Sequence, residues 1–400
     1  MGDGGTTQQA GTDGQPDGAS VRRFARLRKH WLLTSAVALA LLTTATAVPV
    51  VLADPGDDTP CREIPASTRA LANNPAAATR ALDPGDDLSR FDAVRALLVR
   101  EKPCGDGGAV LGAVVDAATR ATADTTPHTL AQARSAYAVA AALDDEELPD
   151  GMAPGVARML AEYVADQNRY LSSDDEAIRP AVPAELAALD VSGWSHYGRF
   201  LAPGEAHADF EHSQPYTSVR ADPAGLIAEL AKDPEAFAIL YDAERAYFAY
   251  YLERLTRQGG DPDFHPERDT EDGSSRSATT WPDIDLEHLA DRVGALMKYR
   301  TGYARNGTIP DLEAFDKAVR RHTRGAYAAA GRPVTSRPPM AAIARRPVSG
   351  PVRGDLMDAR HQLFTVLDAW TKPREVPRQR AADMRQLIDD RYVRQLWLTI

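Results

Sequence analysis

Residues 234–255 read PEAFAILYDAERAYFAYYLERL, and this stretch decides the fold. Its large apolar side chains recur every three or four residues, as on one face of a helix. They are Phe237, Leu240, Tyr241, Tyr247, Phe248, Tyr251 and Leu255. An Asp-Pro pair precedes the stretch and two glycines follow it, which are ordinary start and stop signals. We predict a long helix at the centre of the core; the alternative is an aromatic face that binds a ligand.

Helical spacing also dominates on both sides of this helix. The alternation with period two that is typical of strands is almost absent. Helical patterns recur in 110–121, 130–143, 154–171, 283–304, 310–330, 355–371 and 376–400. The first two are rich in alanine, which favours close packing. The prediction is an all-α fold, an irregular multi-helix bundle.

Composition fits a folded body with little affinity for nucleic acid. The 400 residues are 44% apolar and 26% charged, with a formal net charge of −11. Glycine and proline together make 56 residues, too few for a collagen-like chain. The acidic balance argues against nucleic acid as a partner, because phosphate binding needs excess Lys and Arg. Arginine far exceeds lysine, which indicates a high-GC genome such as that of an actinobacterium.

The N-terminus is typical of an exported protein. Residues 1–30 form a polar tail, predicted to be disordered and cytoplasmic, that ends in a basic cluster. Residues 31–53 carry no charge and, as a helix, would span roughly 35 Å, enough for a bilayer of about 30 Å. Acidic residues begin at Asp54. Basic residues before the span and acidic residues after it place the N-terminus in the cytoplasm and the rest outside.

Whether 31–53 is a transmembrane helix or a cleaved signal stays open. The long polar tail favours a single-pass anchor. Small residues before Ala47 and Ala53 suit a signal peptidase, and cleavage there would give a secreted protein. We expect the anchored form.

Two cysteines support export. Cys61 and Cys104 both follow the span and flank two predicted helices, of which Pro75 interrupts the first. An antiparallel helical pair brings its ends together, so we predict a disulfide that closes a helical hairpin. Two unpaired buried thiols are the alternative. Neither cysteine has a second thiol at metal-binding spacing.

Composition shifts divide the chain further. The predicted segments are a helical domain at 54–258, a polar loop or linker at 259–282, a helical segment at 283–330, an Arg/Pro-rich linker at 331–354 and C-terminal helices at 355–400.

One polar cluster could hold a metal. Residues 196–212 bring imidazole and carboxylate groups into one short stretch, and these suit zinc or another divalent ion. The candidate ligands are His196, His207, Asp209, Glu211 and His212, with Glu205 among them. Such a site could activate water for hydrolysis. The bland interpretation is a hydrogen-bonded loop, and we expect no cofactor.

Other catalytic signals are missing. The chain has no phosphate-binding glycine loop, HExxH, GxSxG or SxxK. Runs of acidic residues at 144–147, 174–176 and 389–390 fall at predicted helix ends, where they act as caps.

The Arg/Pro-rich linker is the best candidate for partner binding. It carries five arginines and no acid: Arg332, Arg337, Arg345, Arg346 and Arg353. They could contact an anionic wall polymer, lipid headgroups or an acidic face of the same protein. A plain, extended linker is the alternative.

Three functions follow as hypotheses. The first is a membrane-anchored extracytoplasmic protein without catalytic activity, acting as an interaction protein or envelope scaffold. The second is a metal-dependent envelope hydrolase that uses residues 196–212. The third is a secreted helical factor released by signal cleavage.

Overall fold

The computed structural model describes residues 61–99, 102–168, 179–187, 201–202, 204–210, 219–221, 223–260, 281–334, 336–348 and 358–397. These residues belong to one compact unit, Thr59–Ile400. The fold is mostly helical, which confirms the predicted class. None of the helices within these ranges is long and apolar enough to cross a membrane. The predicted span 31–53 lies outside the described residues.

The body begins with the predicted disulfide between Cys61 and Cys104. Three short helices lie between the cysteines, where two were expected: α1 (Ala66–Leu71), α2 (Pro75–Leu82) and α3 (Phe91–Leu98). Pro75 does not interrupt a helix; it starts α2, because proline fits the first turn and Asn74 caps the helix through Ala77 N at 3.1 Å. The bridge therefore closes a three-helix segment.

Glycines allow two of the next helices to touch. The elements are α4 (Gly107–Thr119), α5 (Leu130–Ala142), α6 (Ala153–Glu162) and the single turn α7 (Val164–Gln167). A Cβ atom at Gly155 of α6 would lie 2.1 Å from the carbonyl oxygen of Gly112 in α4. Only glycine permits this approach. The close packing expected of the small-residue helix at 110–121 is present in this contact of α4 with α6.

The quoted stretch forms the centre of the core. Helix α8 (Pro223–Leu230) leads into α9 (Pro234–Arg254). The side chain of Asp233 caps the start of α9 by accepting hydrogen bonds from Glu235 N and Ala236 N. Nearly every residue of α9 is buried, including five of its six charged ones. The helix packs against α6 and α7 on one side and against later helices on the other. The predicted core helix is confirmed.

The later helices are α10 (Trp281–Asn306), α11 (Leu312–His322), α12 (Met340–Ala344), α13 (Arg360–Thr371) and α14 (Arg378–Trp397). Helix α11 ends eight residues before the predicted boundary at 330. The reason is tertiary: Arg324 N donates to Asp242 Oδ2 at 2.8 Å, and Arg245 donates to the carbonyls of Arg324 and Gly325. These bonds hold the backbone out of the helix. The predicted linker 331–354 also differs, because it contains α12.

One small sheet completes the described fold. Strand β1 (Ala181–Val182) pairs antiparallel with β2 (His207–Ala208). This pair places the 204–210 segment against α5, so residues of the predicted metal cluster lie inside the core.

Candidate functional site

The predicted metal cluster is only partly visible. His196, Glu211 and His212 lie outside the described residues. His207 is fully buried, with Nδ1 2.8 Å from Asp166 Oδ1 and Nε2 3.3 Å from the carbonyl oxygen of Ala202. Both ring nitrogens thus contact oxygens of the protein. Asp209 is also buried, and its backbone N–H donates to Pro180 O at 3.0 Å. In the described part of the chain, no group of three His, Cys, Asp or Glu side chains could hold a metal.

A second histidine lies in the same buried region. His128 Nδ1 is 2.6 Å from Glu205 Oε1, and Nε2 is 3.4 Å from Glu162 Oε2. The other Glu205 oxygen accepts from Met340 N at 2.9 Å, at the start of α12. Burial disfavours the charged imidazolium, but its hydrogen bonds to the two carboxylates prevail and raise the pKa of His128 to about 9. The group is a charged cluster in the interior of the described fold.

The Arg/Pro-rich linker supplies the balancing cation. Arg345 contacts Glu162 at 2.6 Å and Asp124 at 2.5 Å. Burial favours the neutral Glu162, yet His128 and Arg345 hold the pKa of that carboxyl below its usual range. The cluster therefore ties α6, α12 and two loops together and serves the fold.

The remaining arginines of the linker differ in their surroundings. Arg346 pairs with the buried Glu253 of α9. Arg332 is exposed, Arg337 is partly buried, and Arg353 lies outside the described residues. Arg345 and Arg346 thus contact acidic groups of the same protein, one of the alternatives that the sequence left open. Binding of an anionic partner by the others stays a prediction.

A cavity between α7, α8, α9 and α10 is the best candidate site. The empty space there is about 350 Å³ when open solvent at the mouth is included, and its enclosed part has room for roughly two water molecules. Its wall is mostly apolar, with four polar side chains. The lining residues are Gln167, Ala224, Ile227, Leu240, Glu244, Arg292, Ala295, Leu296 and Tyr299.

Glu244 is the unusual group in this wall. It sits in the middle of α9, only 6% exposed, and its Oε2 accepts a hydrogen bond from Asn168 Nδ2 at 2.9 Å. Burial, opposed by Arg292 and by the bond from Asn168, raises the pKa of Glu244 to about 7. A carboxyl with a displaced pKa in a cavity is a recognised mark of a functional site.

Arg292 lies in the same wall on α10. Its Nη2 donates to the backbone oxygen of Gln167 at 2.8 Å. Within the described ranges, no ion pair of 4.0 Å or less joins Arg292 to Glu244 or to another acid. The cavity therefore presents two opposite charges that do not neutralise each other directly.

Sequence reasoning missed this site, although Glu244 lies inside the stretch quoted first. The aromatic residues of that stretch predict a core helix, and this prediction assigns no role to its charged residues. The available signal was an ionisable residue inside a helix expected to be buried on most sides. Asn168, which bonds to Glu244, and Arg292, which lies in the same wall, are 76 and 48 residues away, beyond any local motif.

Comparisons with known proteins add no identity. No protein-family model matches the chain, and no curated protein or solved structure matches it.

Proposed function

We propose that this is an extracytoplasmic helical protein, held in the cytoplasmic membrane by residues 31–53 with its N-terminus inside, that makes contacts with other envelope components. The observation that carries this proposal is the disulfide between Cys61 and Cys104. Disulfides persist in oxidising compartments and are rare in the cytosol, apart from redox-active ones and those of hyperthermophiles. The bridge begins eight residues after residue 53.

The arrangement of charge around residues 31–53 supports the orientation. Five basic side chains lie between residues 22 and 29, whereas acids follow from Asp54. The positive-inside rule then leaves Thr59–Ile400 outside. An envelope protein or an anionic wall polymer is the expected partner, with exposed Arg332 as one contact. Nucleic acid is not expected.

The test is the fate of both ends of the chain. The full protein with a C-terminal tag is expressed in an actinobacterial host, and cells are fractionated. Intact mass determines the N-terminus, external protease probes the tag, and alkylation before and after reduction counts the thiols. We expect the full-length chain in the membrane fraction, a tag digested from outside, and cysteines alkylated only after reduction.

A matched variant controls for topology. Replacing the five basic residues at 22, 23, 26, 28 and 29 by glutamate leaves 31–53 intact but removes the charge bias. Tag digestion should then fall. A tag that intact cells protect, together with two freely alkylated thiols, would contradict export. A form in the medium that starts at Val48 or Asp54 would instead show a secreted factor.

A further inference from the structure

One segment of the chain is attached to the rest of the protein through buried carboxylates. It consists of residues 324–334 and 336–346, which we call the strap, and its only helix is the short α12. From Lys317 to Gly354 the sequence contains no acidic residue. Every carboxylate that the strap contacts therefore belongs to another part of the chain.

Two carboxylates of α9 bind the strap. Asp242 Oδ2 accepts a hydrogen bond from Arg324 N at 2.8 Å. Glu253 Oε1 accepts one from Ala330 N at 2.7 Å and also pairs with Arg346, the last residue of the strap. Both acids are buried, with 3% and 2% of their surface exposed. A single helix thus holds the start and the end of the strap.

Two carboxylates of the cluster around His128 bind α12. Glu205 Oε2 accepts a hydrogen bond from Met340 N, at the start of this helix, at 2.9 Å. Glu162 lies 2.6 Å from Arg345, the residue that follows the helix. His128 contacts both carboxylates. The charged cluster therefore holds α12 at each of its ends.

Hydrogen bonds within the strap join its two parts. Arg324 Nη2 donates to Tyr327 Oη at 3.0 Å. The same nitrogen donates to the carbonyl oxygen of Ala344, 20 residues away, at 2.7 Å. The beginning of the strap is therefore bonded to α12. Because the two parts are joined, release of the strap from one carboxylate weakens its attachment to the others.

Few large apolar side chains hold the strap in place. Those that are buried in its described residues are Tyr327, Met340 and Ile343. Helix α9, in contrast, buries nearly all of its 21 residues. A segment opens at a lower free energy where fewer buried apolar contacts must be broken. The strap should therefore open more readily than α9.

We propose that the strap is a detachable element, which opens as one unit while the rest of the protein stays folded. Arg345 and Arg346 are its latch, because each joins the strap to a buried carboxylate by an ion pair. Opening admits water to the charged cluster around His128. The strap does not depend on where the protein resides, so this proposal is tested separately from the proposed topology.

The experiment is hydrogen–deuterium exchange of the full-length protein in detergent, resolved to single amides and corrected for intrinsic rates. The N–H groups of Ala330, Val334 and Met340 are hydrogen-bonded to the rest of the protein and report on the strap. The amides within α9 report on the core. We expect the three strap amides to share one opening free energy and to exchange at least about tenfold faster than those of α9.

The variant Arg345→Gln tests whether the strap opens as a unit. In the closed strap this change removes a cation from the buried Glu162, whereas in the open strap that carboxylate is hydrated. Opening therefore becomes easier. Exchange should rise about tenfold or more, and it should rise also at Ala330, which is bonded to Glu253 and not to Glu162.

The variant Arg346→Gln makes the reverse test. It removes the cation that pairs with Glu253 in the closed strap. The amide of Met340 is bonded to Glu205, on the other side of the strap. If the strap is one unit, exchange at Met340 should also rise about tenfold or more.

Arg305→Gln is the matched control, because Arg305 is an exposed residue of α10 outside the strap. It should leave the exchange of the strap unchanged. Melting curves establish that each variant is folded. Should a glutamine variant unfold, Arg345→Lys and Arg346→Lys take its place, since lysine keeps the charge and loses the paired hydrogen bonds. They should give the same pattern with a smaller increase.

Two results would overturn the proposal. Strap amides that exchange as slowly as those of α9 would show that the strap opens only when the whole protein unfolds. Increases confined to the amides beside each substituted arginine's own carboxylate would show separate local openings and not one unit.

Discussion

At the scale of single residues, His128 shows how a charge is stabilised in the interior of the protein. Its ring is fully buried between two carboxylates, Glu162 and Glu205, and its centroid lies 4.5 Å from that of the tilted Tyr163 ring. A buried charge survives only when it is paired and hydrogen-bonded. Here the pairing outweighs burial, so folding raises the affinity of His128 for its proton.

This uptake links stability to pH. The pKa of His128 rises from 6.5 in the unfolded chain to about 9 in the folded one, so its contribution is complete below pH 6.5 and is lost as pH rises toward 9. The shift corresponds to a free energy of unfolding on the order of 3 kcal/mol. Glu162, whose pKa is lowered, titrates below this window and adds no slope there.

We predict that His128→Gln flattens this dependence. Urea unfolding of the wild type at pH 6.5 and pH 9 should show a free energy that falls by about 3 kcal/mol or more. The variant should fall by only about 1 kcal/mol, because the raised pKa of Glu244, about 7, lies in the same window. His361→Gln is the control, because the side chain of His361 is 57% exposed. Equal slopes in wild type and His128→Gln would show that the imidazole is not charged in the folded protein.

The residues that form a site were the least predictable part. The sequence drew attention to His207 and Asp209 because they lie close together in the chain. Their contacts involve residues far away in the sequence. Asp166, which contacts His207, is 41 residues from it, and Glu205 of the same segment contacts His128, 77 residues away. A local window cannot contain such pairs. The metal at residues 196–212 stays a prediction, since three of its ligands lie outside the described residues.

At the scale of helices, starting points could be predicted and some ends could not. Asp233 caps α9 and Asp311 caps α11 through their own side chains, a local signal that the sequence shows directly. The start of α2 is an exception, because Pro75 is predicted to interrupt a helix and instead begins one. The end of α11 depends instead on Asp242 and Arg245 of α9, which bind the backbone at 324 and 325. The helix propensity of residues 323–330 therefore cannot predict where α11 ends, because these hydrogen bonds come from a distant helix.

We predict that Gly155→Ala is strongly destabilising. The added methyl group would lie 2.1 Å from the carbonyl oxygen of Gly112, so α4 and α6 must move apart. Overpacking of this kind costs about 1–3 kcal/mol. The melting temperature and urea midpoint measure the loss.

Gly302→Ala is the matched control for this variant. Gly302 is an exposed position inside α10 where a Cβ atom has nothing within 4 Å. Alanine there should stabilise by about 0.5–1 kcal/mol, because glycine is the poorer helix former. If both variants behaved alike, backbone propensity rather than the α4–α6 contact would explain the effect.

At the scale of the whole molecule, composition predicts separate segments, but a single apolar core joins them in the described structure. The sequence divided the chain at a polar stretch, 259–282, and again at 331–354. One apolar cluster nevertheless runs from Ile64 to Tyr392 through the described residues, with α9 at its centre. Tyr251 of α9 donates to Asp285 of α10 at 2.6 Å, across the first of these boundaries. The composition of a linker shows where the chain is polar. It does not show whether the helices before and after it pack against each other.

We predict that the chain stays assembled when it is cut within this stretch. A site-specific protease sequence inserted between Asp272 and Gly273 would give two fragments, and the disulfide lies wholly in the first. Helices α10, α11 and α13 pack on α9, so the fragments should co-elute in detergent during size-exclusion chromatography. They should separate only in denaturant. Separate elution in native buffer would instead indicate two independent domains.

The contacts of Arg345 also determine when this part of the core can finish folding. This side chain joins Asp124, 221 residues earlier, and Glu162, 183 residues earlier, while Met340 N binds Glu205 across 135 residues. Contacts of such long range form slowly, because a large loop must close before any of them is gained. Until residue 345 leaves the ribosome, His128 and its two glutamates lack their balancing arginine. The last sixth of the chain thus completes the buried cluster around His128, whose other side chains are synthesised much earlier.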